Sequence, residues 1–141
     1  MAEARIFTLE EAERTLPLLR RILSDLCAEN RVWQDALAEY EILTAGVRAE
    51  PGELEEIAAA RRAHTDSADR ISAYHLELEA IGCLFKGSDA GLVDFYTLRD
   101  DRLVLLCWKL DEEHIAHWHE VDAGYAGRQP VDATFLTTTL H

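Results

Sequence analysis

Basic residues are scarce in this chain: fourteen Lys and Arg stand against twenty-seven Asp and Glu, a formal net charge of −13 over 141 residues. Such a chain has no general attraction for a phosphate backbone, which excludes nucleic acid as an electrostatic partner. It is also repelled by anionic membrane surfaces. Long apolar runs are missing too, none approaching the ~20 residues of a membrane span. The opening Met1 to Glu11 is too acidic and too interrupted for a signal peptide. Cysteine is rare, with Cys27, Cys83 and Cys107 far apart, odd in number and without a Cys-x-x-Cys pair. That pattern fits reduced thiols in a cytoplasm and excludes a disulfide framework. Absent as well are a phosphate-binding glycine loop, Gly-x-Ser-x-Gly, His-Glu-x-x-His and a calcium loop. Their absence weighs against the common enzyme classes.

What is present is an ordinary folding composition, 48% hydrophobic and 29% charged, which excludes wholesale disorder. The length is that of a single domain over residues 1–141. Its composition shifts at Gly82. Residues 1–82 are rich in Ala, Leu, Glu and Arg, whereas most of the Val, Thr and His follow.

Thr8 and Glu11 have capping-box spacing, with Phe7 at the staple position. Pro17 follows soon after, and an interior proline loses a hydrogen bond and clashes. A short helix near 9–15 and then a break are therefore expected. From Leu16 the seam spacing alternates three and four through Leu19, Leu23, Leu26, Asn30, Trp33, Leu37, Tyr40 and Thr44, a heptad pattern ending at Gly46. A second helix begins near Glu50-Pro51-Gly52-Glu53 and runs through Ile57, His64, Ile71, Tyr74 and Leu78 to Gly82. Folding the pair antiparallel about residues 48 or 49 brings Leu26 to Ile71, Leu19 to Leu78 and Trp33 to His64. Asn30, His64 and Ser67 make the middle of this seam polar, either as a buried site or as a layer that fixes register.

Residues 83–130 read as a β-meander. Cys83 to Lys86, Leu92 to Leu98, Leu103 to Leu110 and Ile115 to Val121 are short strand candidates separated by polar turns. The third candidate, with Leu103-Val104-Leu105-Leu106-Cys107-Trp108, is apolar on both faces, so something must cover each side. The hairpin can cover one; the first helix, the tail or a second copy would cover the other. Residues 124–130 read as a loop, and 131–141 as a loosely held tail.

Three of the six histidines fall between His114 and His119. On a strand His117 and His119 project from one face, a spacing suited to a metal such as zinc or iron. A third ligand could be Cys107, Asp94, Glu120 or Asp122. Cys107 could instead be a nucleophile with a histidine base, although its apolar neighbours favour a buried, inert thiol. Arg128 is the best candidate for holding an anion or pairing with Asp94.

Several segments resemble a bacterial domain-of-unknown-function family, number 2203, over about residues 5–131. They are Phe7 to Ala12 with Leu16-Pro17, Gly91-Leu92-Val93-Asp94-Phe95, Leu106 to Leu110, Trp118-His119 and Gly127-Arg128-Gln129-Pro130. The resemblance implies a pattern of residues and no activity. It directs attention to Asp94, Trp108, His119 and Arg128, whereas His114 and His117 fall where the family pattern does not require histidine.

The expected fold is α+β: a long antiparallel, coiled-coil-like helical hairpin with a short N-terminal helix and a small C-terminal antiparallel sheet. The sheet should sit at the open end, against residues 16–26 and 71–81. Two functions follow. One is a cytoplasmic, self-associating interaction module, a homodimer or a binder of another protein, without catalysis. The other is a small-ligand site at Asp94, Trp108, His119 and Arg128, or a metal site at Cys107, His117 and His119, hydrolytic if the metal keeps an open position.

Overall fold

The computed structural model describes residues 5–45, 51–87 and 90–135. The N-terminal helix α1 spans Leu9–Thr44, and its capping box is formed. The Glu11 amide donates to Thr8 Oγ1 at 3.1 Å, and the Thr8 amide to Glu11 Oε1 at 2.8 Å. The expected break before Pro17 does not occur: the helix passes through the proline unbroken for 36 residues. The lost hydrogen bond and clash cost about 3 kcal/mol. Against this, Ala12, Leu16, Leu19, Ile22, Leu23 and Leu26 form one continuous buried face, and each large side chain contributes about 1.5–3 kcal/mol. Packing outweighs the local penalty. There is accordingly one long helix where a short helix and a main helix were expected.

Helix α2 spans Pro51–Ile81 and packs against α1. Trp33 and His64 meet with ring centroids 4.9 Å apart, as the folded seam requires. The polar layer differs in one member. Ser67, fully buried, donates to the Glu29 carboxylate at 2.6 Å, and Arg70 Nε donates to the same group at 2.7 Å. Glu29, and not Asn30, is thus the partner of Ser67. Gly82 ends α2 with a φ of 98° and an amide bond to the Leu78 carbonyl at 3.1 Å. A Cβ there would lie 2.8 Å from Arg5 Cβ. The expected helix stop at Gly46 and the hairpin turn lie outside the described residues.

Five antiparallel strands follow in the order of the chain: β1 Leu84–Gly87, β2 Leu92–Arg99, β3 Arg102–Lys109, β4 His117–Glu120 and β5 Gln129–Pro130. Three or four were expected; the fifth comes from the segment read as loop. Asp100 and Asp101, with φ of 52° and 63°, make the two-residue turn whose twist matches a hairpin. Register and alternation divide the sheet cleanly. Val93, Phe95, Val104, Leu106, Trp108 and Trp118 face the hairpin and share one core with Leu16, Leu19, Leu23, Leu26 and Leu78. Ile71, Tyr74 and Ile81 flank that core, so the sheet occupies the end of the hairpin anticipated from its apolar seam. Residues 131–135 do not behave as the loose tail expected there. Phe135 is fully buried beside Trp118, with ring centroids 5.8 Å apart, and Arg99 lies over both rings.

Candidate metal centre on the outer face of the sheet

Pleating sends Asp94, Leu105, Cys107, His117 and His119 to the face opposite the hairpin. Asp94 is paired directly with Cys107, and His119 with Leu105, so three neighbouring strands contribute to one patch. Asp94, Cys107 and His119 are all buried there, and their donor atoms lie within 4.8 Å of one another. The cover on this side comes from the β4–β5 connection. Val121, Gly124 and Tyr125 line a cavity of about 280 Å³ together with Asp94, Leu105, His119, Leu92 and Lys86. Among the described residues, neither α1 nor residues 131–135 line that cavity; the expected covers were the first helix, the tail or a second copy.

The imidazole of His119 is fixed at both nitrogens. Nδ1 lies 2.8 Å from the Glu120 carbonyl oxygen, and Nε2 lies 3.1 Å from Asp94 Oδ2. A carbonyl only accepts, so Nδ1 carries the hydrogen and Nε2 is directed at the carboxylate. Asp94 Oδ1 is buried with no hydrogen-bond partner. An orphaned carboxylate oxygen is costly in an interior and marks a place where a donor or cation belongs. Burial, with the Asp94 carboxylate beside it, pushes the Cys107 thiol up to about 12. Such a thiol is no nucleophile by itself. Cys83, pushed up to about 11 by burial, is equally inert.

The remaining candidates lie elsewhere. Trp108 faces the hairpin core, where its Nε1 donates to the Glu112 carbonyl at 3.0 Å. Strand alternation forces this, because its neighbour Cys107 points outward. His117 shares the outer face, paired with Cys107 on one side and Pro130 on the other, and its Nδ1 lies 3.5 Å from Glu112 Oε2. Arg128 does not meet Asp94. Its Nη2 donates to both Glu112 carboxylate oxygens, at 2.6 and 2.9 Å, and to the Cys107 carbonyl at 3.3 Å. Its guanidinium carbon also lies 4.7 Å from the Tyr125 ring centroid. Arg128 therefore buttresses the strand that carries Cys107 and the loop that covers it. His114 is exposed and pairs with Glu13. Lys86 and Tyr125 were not singled out in the sequence, since each becomes part of this neighbourhood only through strand register or loop path.

The arrangement suits a divalent ion. Tetrahedral zinc with sulfur, nitrogen and oxygen ligands needs donors about 3.3–3.6 Å apart; His119 Nε2 and Asp94 Oδ2 lie 3.1 Å apart and all three donors within 4.8 Å. A neutral imidazole, a thiolate and a carboxylate would balance a charge of +2 in a buried place. The Nδ1–H to carbonyl bond is the second-shell contact that orients a ligating histidine.

A family model described as an uncharacterized conserved protein (DUF2203) matches residues 5–131. No curated protein and no solved structure matches the chain. The matched span contains Asp94, Cys107 and His119, together with every strand of the sheet.

Proposed function

The chain belongs to the DUF2203 family, whose description assigns no activity, and we propose from the site itself that the protein binds a zinc ion through Asp94, Cys107 and His119. The observation that carries this reading is the buried triad with an unpartnered Asp94 Oδ1, on a face that opens to a cavity. Three protein ligands leave a fourth position, which is the pattern of zinc sites that activate water, not of closed structural sites. The reaction class this supports is hydrolysis. In this reading Asp94 joins His119 as the strand-borne core of the site, and His117, paired across the strands with Cys107 and with its Nδ1 3.5 Å from Glu112 Oε2, is the neighbouring alternative ligand.

Protein prepared without a histidine tag, stripped with a chelator and dialysed against zinc, should retain one ion per chain by elemental analysis. Cobalt in its place should give a thiolate-to-metal charge-transfer band that Cys107→Ser abolishes and His119→Ala weakens. Metal content that neither substitution changes would sink the proposal.

Self-association is the second reading. It is favoured by the apolar groups left open on the sheet side, with Leu103, Tyr125 and Val121 exposed by 41%, 46% and 51%. A homodimer joined there would cover them, and light scattering should return twice the monomer mass. A monomer that persists at tens of micromolar, an ordinary range for specific association, removes this reading. No helix among the described residues is long and apolar enough to cross a membrane.

A further inference from the structure

We infer that the proposed zinc centre acts on a small anionic molecule, whose carboxylate or phosphate is held by Lys86 at the rim of the cavity. This rests on the zinc reading and specifies its ligand. Five basic residues lie after Gly82. Four of them are paired: Arg99 with Asp132, Arg102 with Glu120, Lys109 with Asp111 and Arg128 with Glu112. Lys86 has no ion pair among the described residues, and it lines the same cavity as Asp94 and His119.

Its backbone supports the assignment. The register steps from Phe85↔Val93 to Gly87↔Leu92, leaving Lys86 as the extra residue of a β-bulge. A bulge re-aims its side chain and interrupts pairing, a device found beside functional sites. In a molecule of net charge −13, an anion needs a local cation to approach at all. The rest of the lining, Leu92, Leu105, Val121, Gly124 and Tyr125, is largely apolar. At about 280 Å³ the cavity lies just under the ~300 Å³ lower end of ligand pockets. A small metabolite fits this space. The ligand class is therefore a compact molecule with an anionic end for Lys86, an apolar middle, and a polar group delivered to the metal.

Two probes test this on cobalt-loaded protein: acetohydroxamate, and the monohydroxamate of succinate, which adds a carboxylate tail. Both should perturb the cobalt spectrum. The succinate probe should bind tighter by roughly fivefold, the effect of one partly exposed ion pair. That preference should disappear in Lys86→Met, survive in Lys86→Arg and shrink at high salt, while acetohydroxamate affinity stays level across the three proteins. Equal affinity of the probes for the parent protein, or a preference that survives Lys86→Met, overturns the anion assignment and leaves the metal reading intact. A protein that gives no cobalt band overturns both.

Discussion

Glu29 holds two helices together through a single carboxylate. Hydrogen bonds from Arg70, then from Ser67, hold that carboxylate below its ordinary value of 4.5. A depressed acid contributes stability that is complete above its unfolded value and is lost as pH falls through the folded one. Wild type should therefore exceed Glu29→Gln in urea midpoint at pH 7, and the gap should close as pH drops below 4.5. A gap independent of pH would show that the charge plays no part. Removing the buried donor by Ser67→Ala should cost about 1 kcal/mol at neutral pH. At the same scale, the sequence showed that Ser67 and His64 share a polar level, but not that Glu29 would reach it. A helix surface offers Glu29 and Asn30 at adjacent angles, and only the approach of α2 selects between them.

Among the elements, α1 is the case where local preference lost. Pro17 is exposed, whereas Leu16 and Leu19 on either side are buried, so the proline contributes little packing in return for its missing amide. Pro17→Ala should then raise stability by about 1–3 kcal/mol, the interior proline penalty less up to about 1 kcal/mol for a more flexible unfolded chain. Thermal unfolding measures it, and a decrease would mean that α1 relies on a proline-induced bend. The strands were legible wherever alternation or turn chemistry was strong, as in β2 and β3 around Asp100-Asp101. The two residues of β5 were not, because Gln129 and Pro130 carry no strand preference and pair only where β4 offers an edge. Phe135 misled in the same way: one aromatic among threonines gives no period, yet it closes the core beside Trp118.

For the molecule as a whole, an ion that binds only the folded state must add to its stability. Zinc at a hundredfold over its dissociation constant would add about 2.7 kcal/mol, which for a chain of this length raises the melting temperature by roughly 6–10 °C. The rise should be absent in Cys107→Ser, and calorimetry with and without chelator decides it. A rise of equal size in that variant would assign the effect to surface histidines.

The heptad seam, the strand alternation and the capping box already specified a helical hairpin with a small antiparallel sheet at its open end, because those periods dictate which faces must be buried. Strand alternation also put His117 and His119 on one face of the sheet, with Cys107 and Asp94 among the open choices for a third ligand. The grouping of Asp94 and Cys107 with His119, Trp108 on the opposite face, Arg128 claimed by Glu112, and Lys86 at the cavity were decided by tertiary structure. Each of these depends on strand register or on the path of a covering loop, and both are set by contacts between residues far apart in the chain, which no local pattern encodes.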